Sequence, residues 1–396
     1  MPYVENQIVH DADSHLMELP DCLDAYFDPK RKADYHALPS FQHKLGKAGW
    51  ADQARARQRD EAFREDSDNN ILLRKNYEAM GAFERADRPH ALDLLGFASQ
   101  LVFTTFCLGN FGLDQGKDAD LAYAAAQAHN RMMTDFCSVD HRFLPTGYVP
   151  LMDRARAPAA AKEAIELGAK ALLVPCLAPD DHSPSHIDFD KVWAQAQEAG
   201  IPIVFHVGGE EKIRPAYFEN GLPRVKDFHG GEENFTSLSF MTIPHAVMQT
   251  MAALIFDGVL DRFPNLKFGA IELGASWVPG WMRFMDSAAG AFIKNEERLQ
   301  KLSMRPSEFV RRQFRVTPYP HEDAAWIVAN AGEEVALFSS DYPHVEGGRN
   351  PLKRFNDSLA NTPARAADRF YRENFIDLMG EGLAADLRRP AHLVAA

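Results

Sequence analysis

Short, nearly unbroken apolar runs recur along the chain at helix-length intervals, and this alternation constrains the fold more than any other feature. The runs are Ile8–Ala12, Leu101–Thr104, Leu144–Val149, Ala169–Pro175, Ile201–His206, Leu266–Glu272, Phe314–Thr317 and Val335–Ser340. Continuous apolar runs of this length fit parallel strands covered on both faces. The stretches between them have readable helix ends. Asp118 is placed to N-cap the Ala-rich stretch Ala119–Val139, and Gly168 and Gly200 follow Arg154–Leu167 and Phe189–Ala199 as terminating glycines. Pro264 is expected to close a helix that begins near His245. Eight such units predict an α/β fold, a single (β/α)8 TIM barrel over residues 1–396. A doubly wound open sheet competes, but no GxGxxG turn follows the first run.

Two segments exceed ordinary connections. The first, about 27–77, lies between the first and second runs and carries the charge-dense stretch Ala51–Asp68. It reads either as a solvated helix with a loop or as a lid or subunit contact. The second, Gly208–Ile243, follows the fifth run and holds Gly208-Gly209, Gly221, Gly230-Gly231 and several aromatics. Barrel βα loops sit on the catalytic face, so this loop is expected to touch substrate.

Charge and cysteine usage exclude several function classes. The 396 residues carry 43 Lys+Arg against 56 Asp+Glu, a formal net charge of −13, which argues against nucleic acid or an anionic membrane as partner. Cys22, Cys107, Cys137 and Cys176 are scattered without CxxC spacing and read as reduced thiols. Met1–His10 has no basic segment leading into an apolar run, and no stretch looks like a membrane span of about 20 residues, so a cytoplasmic protein is expected.

Polar ligand-type residues end four of the runs. The first leads into Asp11-Ala12-Asp13-Ser14-His15, where Asp13 and His15 share a face by period two and Asp11 shares their parity. The fifth ends in His206, the sixth in Glu272, and the eighth leads into Asp341-Tyr342-Pro343-His344. The mouth of an eight-stranded barrel is narrow enough for these groups to converge. Such a cluster is costly to bury without a cation, and mixed imidazole and carboxylate donors suit Zn²⁺, Fe²⁺ or Mn²⁺.

Each residue also has an ordinary structural role open to it. Asp13 and His15 can form a local turn, His206 can be a satisfied core histidine, and Asp341 can cap a helix. His245 shares a helical face with Met248, Ala252 and Ile255, and its first-turn position would bring it to the catalytic face or leave it a buried structural histidine. In His321-Glu322-Asp323, Asp323 is expected to N-cap a helix. Phe103, Phe106 and Trp277 read as core packing or pocket walls, and nothing singles out the remaining histidines.

The segments HDADSHLMELPDCL, VFHVGG, IFDGVLDRFPNLKFGAIELGASWVP, SSDYPH and ENFIDLMG together resemble the amidohydrolase-2 family, over nearly the whole chain. The resemblance implies a metal-dependent barrel, usually oligomeric, holding a divalent ion. It maps His15, His206 and Asp341 onto the family's metal positions and Asp13 onto the first member of its strand-one pair. The family's decarboxylases keep a histidine where this chain has Glu272, and His245 lies in a helix start like that of longer members.

Those departures favour hydrolysis of a small ester, thioester or amide over decarboxylation. Carbon protonation needs an acid near neutral pH, and a carboxylate beside a cation stays ionised. Asp13, His15, His206, Glu272 and Asp341, with His245, supply donors for one or two ions. Asp341 is the candidate base, with His245 or His344 orienting it or stabilising an oxyanion. Decarboxylation of an aromatic or unsaturated acid is the alternative, and a non-catalytic binding barrel the third reading. A small-molecule substrate and a homodimer or higher homo-oligomer are the expected partners.

Overall fold

The computed structural model describes residues 2–208, 213–228 and 235–388. Gly209, His229, Gly230 and Gly231 of the long loop lie outside them. Within that span seven of the apolar runs are strands: β1 (His10–Leu16), β2 (Ser99–Thr104), β3 (Phe143–Tyr148), β4 (Ala171–Leu173), β5 (Ile203–His206), β6 (Phe268–Ile271) and β7 (Phe314–Val316). They form one all-parallel sheet in sequence order. Helices cross between them, as parallel pairing requires.

The sheet curls into a TIM-barrel-like form. The eighth run, Val335–Ser340, is not a regular strand; it and the residues just after it make isolated parallel bridges, Val316 with Ala336 and Ser14 with Tyr342. Its backbone nevertheless reaches both sheet edges. Leu337 N donates to Val316 O at 3.1 Å, Ala12 N to Phe338 O at 3.2 Å, and His15 N to Tyr342 O at 2.7 Å. The regular ladder is interrupted by a side chain. Asp11 accepts from Ser340 N (2.8 Å) and Ser340 Oγ (2.6 Å), taking the place of a strand partner.

Helix ends follow the local chemistry. The Asp118 carboxylate accepts from Leu121 N at 2.9 Å and opens helix Ala119–Cys137. Gly200, with φ 66°, ends helix Asp190–Ala199 in the left-handed conformation open to glycine. Pro264 does not close the helix that starts at His245. That helix ends at Phe256, where Asp257 and the left-handed Gly258 break it, and a further turn spans Val259–Arg262.

One stretch departs from the expectation that none is long and apolar enough to cross a membrane: Ser237–Phe256 meets that composition, with mean hydropathy 1.3. Its turns include Ala246, Val247, Met251, Leu254 and Ile255, all buried in the protein core, the setting of a barrel helix. All four cysteines are free thiols.

The 27–77 insertion is helical: Pro29–His36, Pro39–Lys44, Trp50–Arg59 and Glu61–Asn69. The charged stretch divides between the last two, with Asp60 accepting from Phe63 N at 2.8 Å to start the second. Its charges pair with flanking segments, as in Arg55–Asp21 and Arg64–Asp87. At its end, Asn76 N donates to Pro343 O at 2.8 Å, so the insertion rests against the Asp341–His344 segment.

Candidate metal centre

Parallel strands all point one way, so side chains at their C-terminal ends share a rim. Asp13, His15, His206 and Glu272 gather there, with donor atoms all within 4.8 Å of one another; His15, Glu272, Asp341 and His344 form a second such group. His15 Nε2 lies 3.2 Å from Asp13 Oδ1, 3.6 Å from Asp341 Oδ1 and 3.8 Å from Glu272 Oε2. His206 Nε2 lies 3.3 Å from Asp13 Oδ1 and 3.2 Å from Glu272 Oε2.

Both histidines are held by their far nitrogens. His15 Nδ1 donates to Thr104 O at 3.0 Å and His206 Nδ1 to Val207 O at 2.8 Å, leaving each Nε2 lone pair facing the cluster. Burial, with His344 beside it, pushes His15 down to about 3, so its ring is neutral, as a ligand must be. Asp13 is fully buried between the two histidines, its Oδ1 facing both Nε2 atoms.

Glu272 and Asp341 have left-handed backbones, with φ 55° and 54°. For residues other than glycine this is uncommon and marks backbone held in place by its surroundings. Glu272 is fixed by Thr317 Oγ1, which accepts from its N–H at 2.8 Å, and by Tyr319 OH, which donates to its carbonyl at 2.7 Å. The loop after Asp341 folds back so closely that a Cβ on Gly347 would stand 2.0 Å from Ser340 O, which only glycine permits.

Three carboxylates and two imidazoles gathered at this depth call for a cation. Asp13 Oδ2, His15 Nε2 and Asp341 Oδ2 are buried without a hydrogen-bond partner, as the donor atoms of a metal site are expected to be. The donor set fits a divalent transition ion.

The comparisons agree with this fold. A family model described as amidohydrolase matches residues 34–378. The chain belongs to that amidohydrolase family. No curated protein matches it in sequence. Among solved structures it is similar to amidohydrolase map2389c from Mycobacterium avium subsp. paratuberculosis, with TM-score 0.69 and 22% identity over 95% of this chain and 100% of that one. It is also similar to the 5-carboxyvanillate decarboxylase of Novosphingobium aromaticivorans, solved with manganese and 3-methoxy-4-hydroxy-5-nitrobenzoic acid, with TM-score 0.64 and 17% identity over 94% and 97%. The 2,6-dihydroxybenzoate decarboxylase from Rhizobium gives TM-score 0.61 and 14% identity over 94% and 99%. At these identities the likeness speaks to the fold.

In this amidohydrolase, His344 joins the cluster: its Nδ1 is 2.9 Å from Asp341 Oδ1 and its ring centroid 4.0 Å from that of His15. Burial would lower the His344 imidazole, but Asp341 raises it above its ordinary value. Burial likewise pushes the Asp341 carboxyl up. His245 is not brought to the cluster; it stands exposed at the first turn of helix His245–Phe256. Asp11 stays outside too, because β1 shifts register between Asp11 and Ser14. Gln100 Nε2 donates to it at 2.8 Å, and burial pushes its carboxyl up to about 7.

Asp323 caps the helix Ala324–Ala331, and Trp277, half-buried, packs against the core beside Trp281 and Phe314. Phe103 packs on the His206 ring at 4.6 Å. Sequence reasoning missed Glu18, which is fully buried and accepts from Thr104 Oγ1, Thr105 N (2.9 Å) and Phe106 N (3.1 Å). It thereby fixes Thr104, whose carbonyl holds His15, and Thr105, whose hydroxyl lies 3.1 Å from His344 Nε2. A lone acid within Leu16-Met17-Glu18-Leu19 was the available signal. Lys75 was also missed: burial pushes it down to about 8, and its charged neighbours are Asp341 and Glu346.

Proposed function

We propose that this amidohydrolase is a metal-dependent hydrolase of a small acyl compound, an ester, thioester or amide. The observation that carries the reading is the Asp341–His344 pair set beside unpartnered ligand atoms at one buried rim. Asp13, His15, His206 and Asp341 would hold a divalent ion, with Glu272 completing the set. The two donor groups share His15 and Glu272, which favours one ion over two. Such an ion, when bound, supplies Lewis acidity and eases the ionisation of water.

The protein's own groups then handle protons. Asp341 is the candidate base, and His344 Nδ1 lies 2.9 Å from its carboxylate, placed to orient it and share a proton. His344, given its position, takes the orienting and oxyanion role first considered for His245. We further read residues 335–340 as the eighth barrel strand, and the chain as one barrel domain whose 27–77 insertion is a lid or subunit contact.

Decarboxylation of an aromatic or unsaturated acid is the second reading, favoured by one observation. His344, an imidazole on the rim 2.9 Å from Asp341 Oδ1 and 3.1 Å from Thr105 Oγ1, is the kind of proton donor carbon protonation needs. Assays of manganese-loaded protein on an ester, thioester and amide panel, beside CO₂ release from hydroxybenzoates and muconate-like acids, separate the two. Chelator-sensitive acyl cleavage is expected. CO₂ release without acyl cleavage would replace the first reading with the second.

A further inference from the structure

Beside the metal rim lies a small recess, partly open to solvent, which His206 helps to line. Phe103, Leu108 and Pro175 give it apolar walls, and Tyr148 and Asp114 contribute polar groups. Tyr148 is only 2% exposed, yet its hydroxyl has no hydrogen-bond partner. Its backbone is clamped at both ends by Asn130, whose Oδ1 accepts from Tyr148 N at 2.7 Å and whose Nδ2 donates to Tyr148 O at 3.0 Å. The backbone at Tyr148 is therefore held while the side chain's polar tip is left unsatisfied. Asp114 sits on the single turn Leu113–Gln115, which the buried Leu113 anchors, and its Oδ1 is likewise buried and unpartnered. Buried polar atoms are nearly always paired, so two orphans in one recess point to a ligand that pairs them.

We infer that Asp114 and Tyr148 form a recognition subsite for a hydrogen-bond donor, a hydroxyl or amino group, on the part of the substrate remote from the metal rim. The inference rests on the proposed metal-dependent reading, since it is the metal rim that sets the substrate's direction in the recess. Phe103, Leu108 and Pro175 take the apolar body, Asp114 accepts from the donor, and Tyr148 binds the same group from its other side. A substrate with a methyl in that place leaves both polar atoms unpaired, so discrimination against it is strong. Burial pushes the Asp114 carboxyl up to about 7, in keeping with a group that awaits a partner.

The test uses the manganese-loaded full chain and calorimetric titration with benzoate and its 3- and 4-methyl, hydroxy and aminomethyl derivatives. Wild type is expected to bind a hydroxy or aminomethyl acid about tenfold more tightly than its methyl counterpart. Asp114→Leu should bring that ratio to within about twofold, Tyr148→Phe should reduce it, and Asp114→Asn should keep hydroxyl preference while losing amine preference. Manganese content should stay unchanged in all three variants, which separates the subsite from the metal rim. Equal binding of methyl and donor-bearing acids by a wild type that holds manganese and benzoate overturns the subsite alone. A preference that survives in both Asp114→Leu and Tyr148→Phe does the same. A wild type that holds neither manganese nor any ring acid overturns the metal-dependent reading and the subsite together.

Discussion

The two ends of the same sheet bury charge in opposite ways. At the N-terminal end, Lys267 and Arg315 share Asp377, at 2.9 Å and 2.5 Å, and Arg315 Nη1 also donates to Arg311 O and Phe314 O. There the chain supplies its own counter-charges. At the C-terminal end Asp13, Glu272 and Asp341 face His15, held neutral by burial, and His206, with orphaned oxygens between them. The histidines of β1 repeat the contrast. His10 and His15 are both pushed down to about 3 by burial, but His10 is stacked on Phe375 with Ser99 Oγ at its Nδ1, whereas His15 faces acids. Burial alone thus does not mark a site; an unbalanced set of donors does.

Substitutions at the two ends should therefore fail differently. Asp341→Asn is expected to cut turnover by about 10²–10⁴-fold with little change in thermal midpoint, read by steady-state kinetics and calorimetry. Turnover near wild type would remove Asp341 from its role. At the opposite end, Asp377→Ala leaves Arg315 buried and unpaired. It should cost about 2–3 kcal/mol in denaturant unfolding, moderated by the partial exposure of Asp377, with activity per folded molecule unchanged.

Glu18→Gln sharpens the comparison from behind the site. Loosening Thr104 and Thr105 should weaken metal affinity about 10–100-fold without altering which metal is preferred, measured by competition with a chelator. The smallest effect concerns acid. Burial holds His129 down to about 4 and His10 down to about 3, below the unfolded value near 6.5. Between those values the unfolded chain binds protons that the folded chain does not, so stability falls as pH drops below about 6.5. His129→Gln should make that fall shallower by about 1 kcal/mol between about pH 6.5 and 5.5 in apo protein. An unchanged slope would mean that His129 titrates normally.

Much of this was legible because strand pattern carries two kinds of information. Apolar runs located seven strands, and polar residues at their ends indicated one rim, which is why Asp13, His15, His206, Glu272, Asp341 and His344 could be grouped before any fold was seen. The eighth run was harder, because Asp11 replaces part of its ladder through Ser340, an interaction across 329 residues. His245 illustrates the limit for helices: a first-turn position fixes the end of the helix but not which way its start is rotated. Lys75, Asp114 and Tyr148 gave no local signal, since burial against distant loops is what makes each unusual.

The most direct test of the unbalanced rim is the metal content of freshly purified protein, measured by elemental analysis beside Asp13→Ala, His206→Ala and Glu272→Ala. The account predicts about one divalent ion per chain in wild type and almost none in the first two variants, with Glu272→Ala retaining a weakened ion. Two ions falling to one in Glu272→Ala would replace the single centre with a pair. Full catalytic turnover by a wild type that carries no metal and ignores chelators would contradict the account outright.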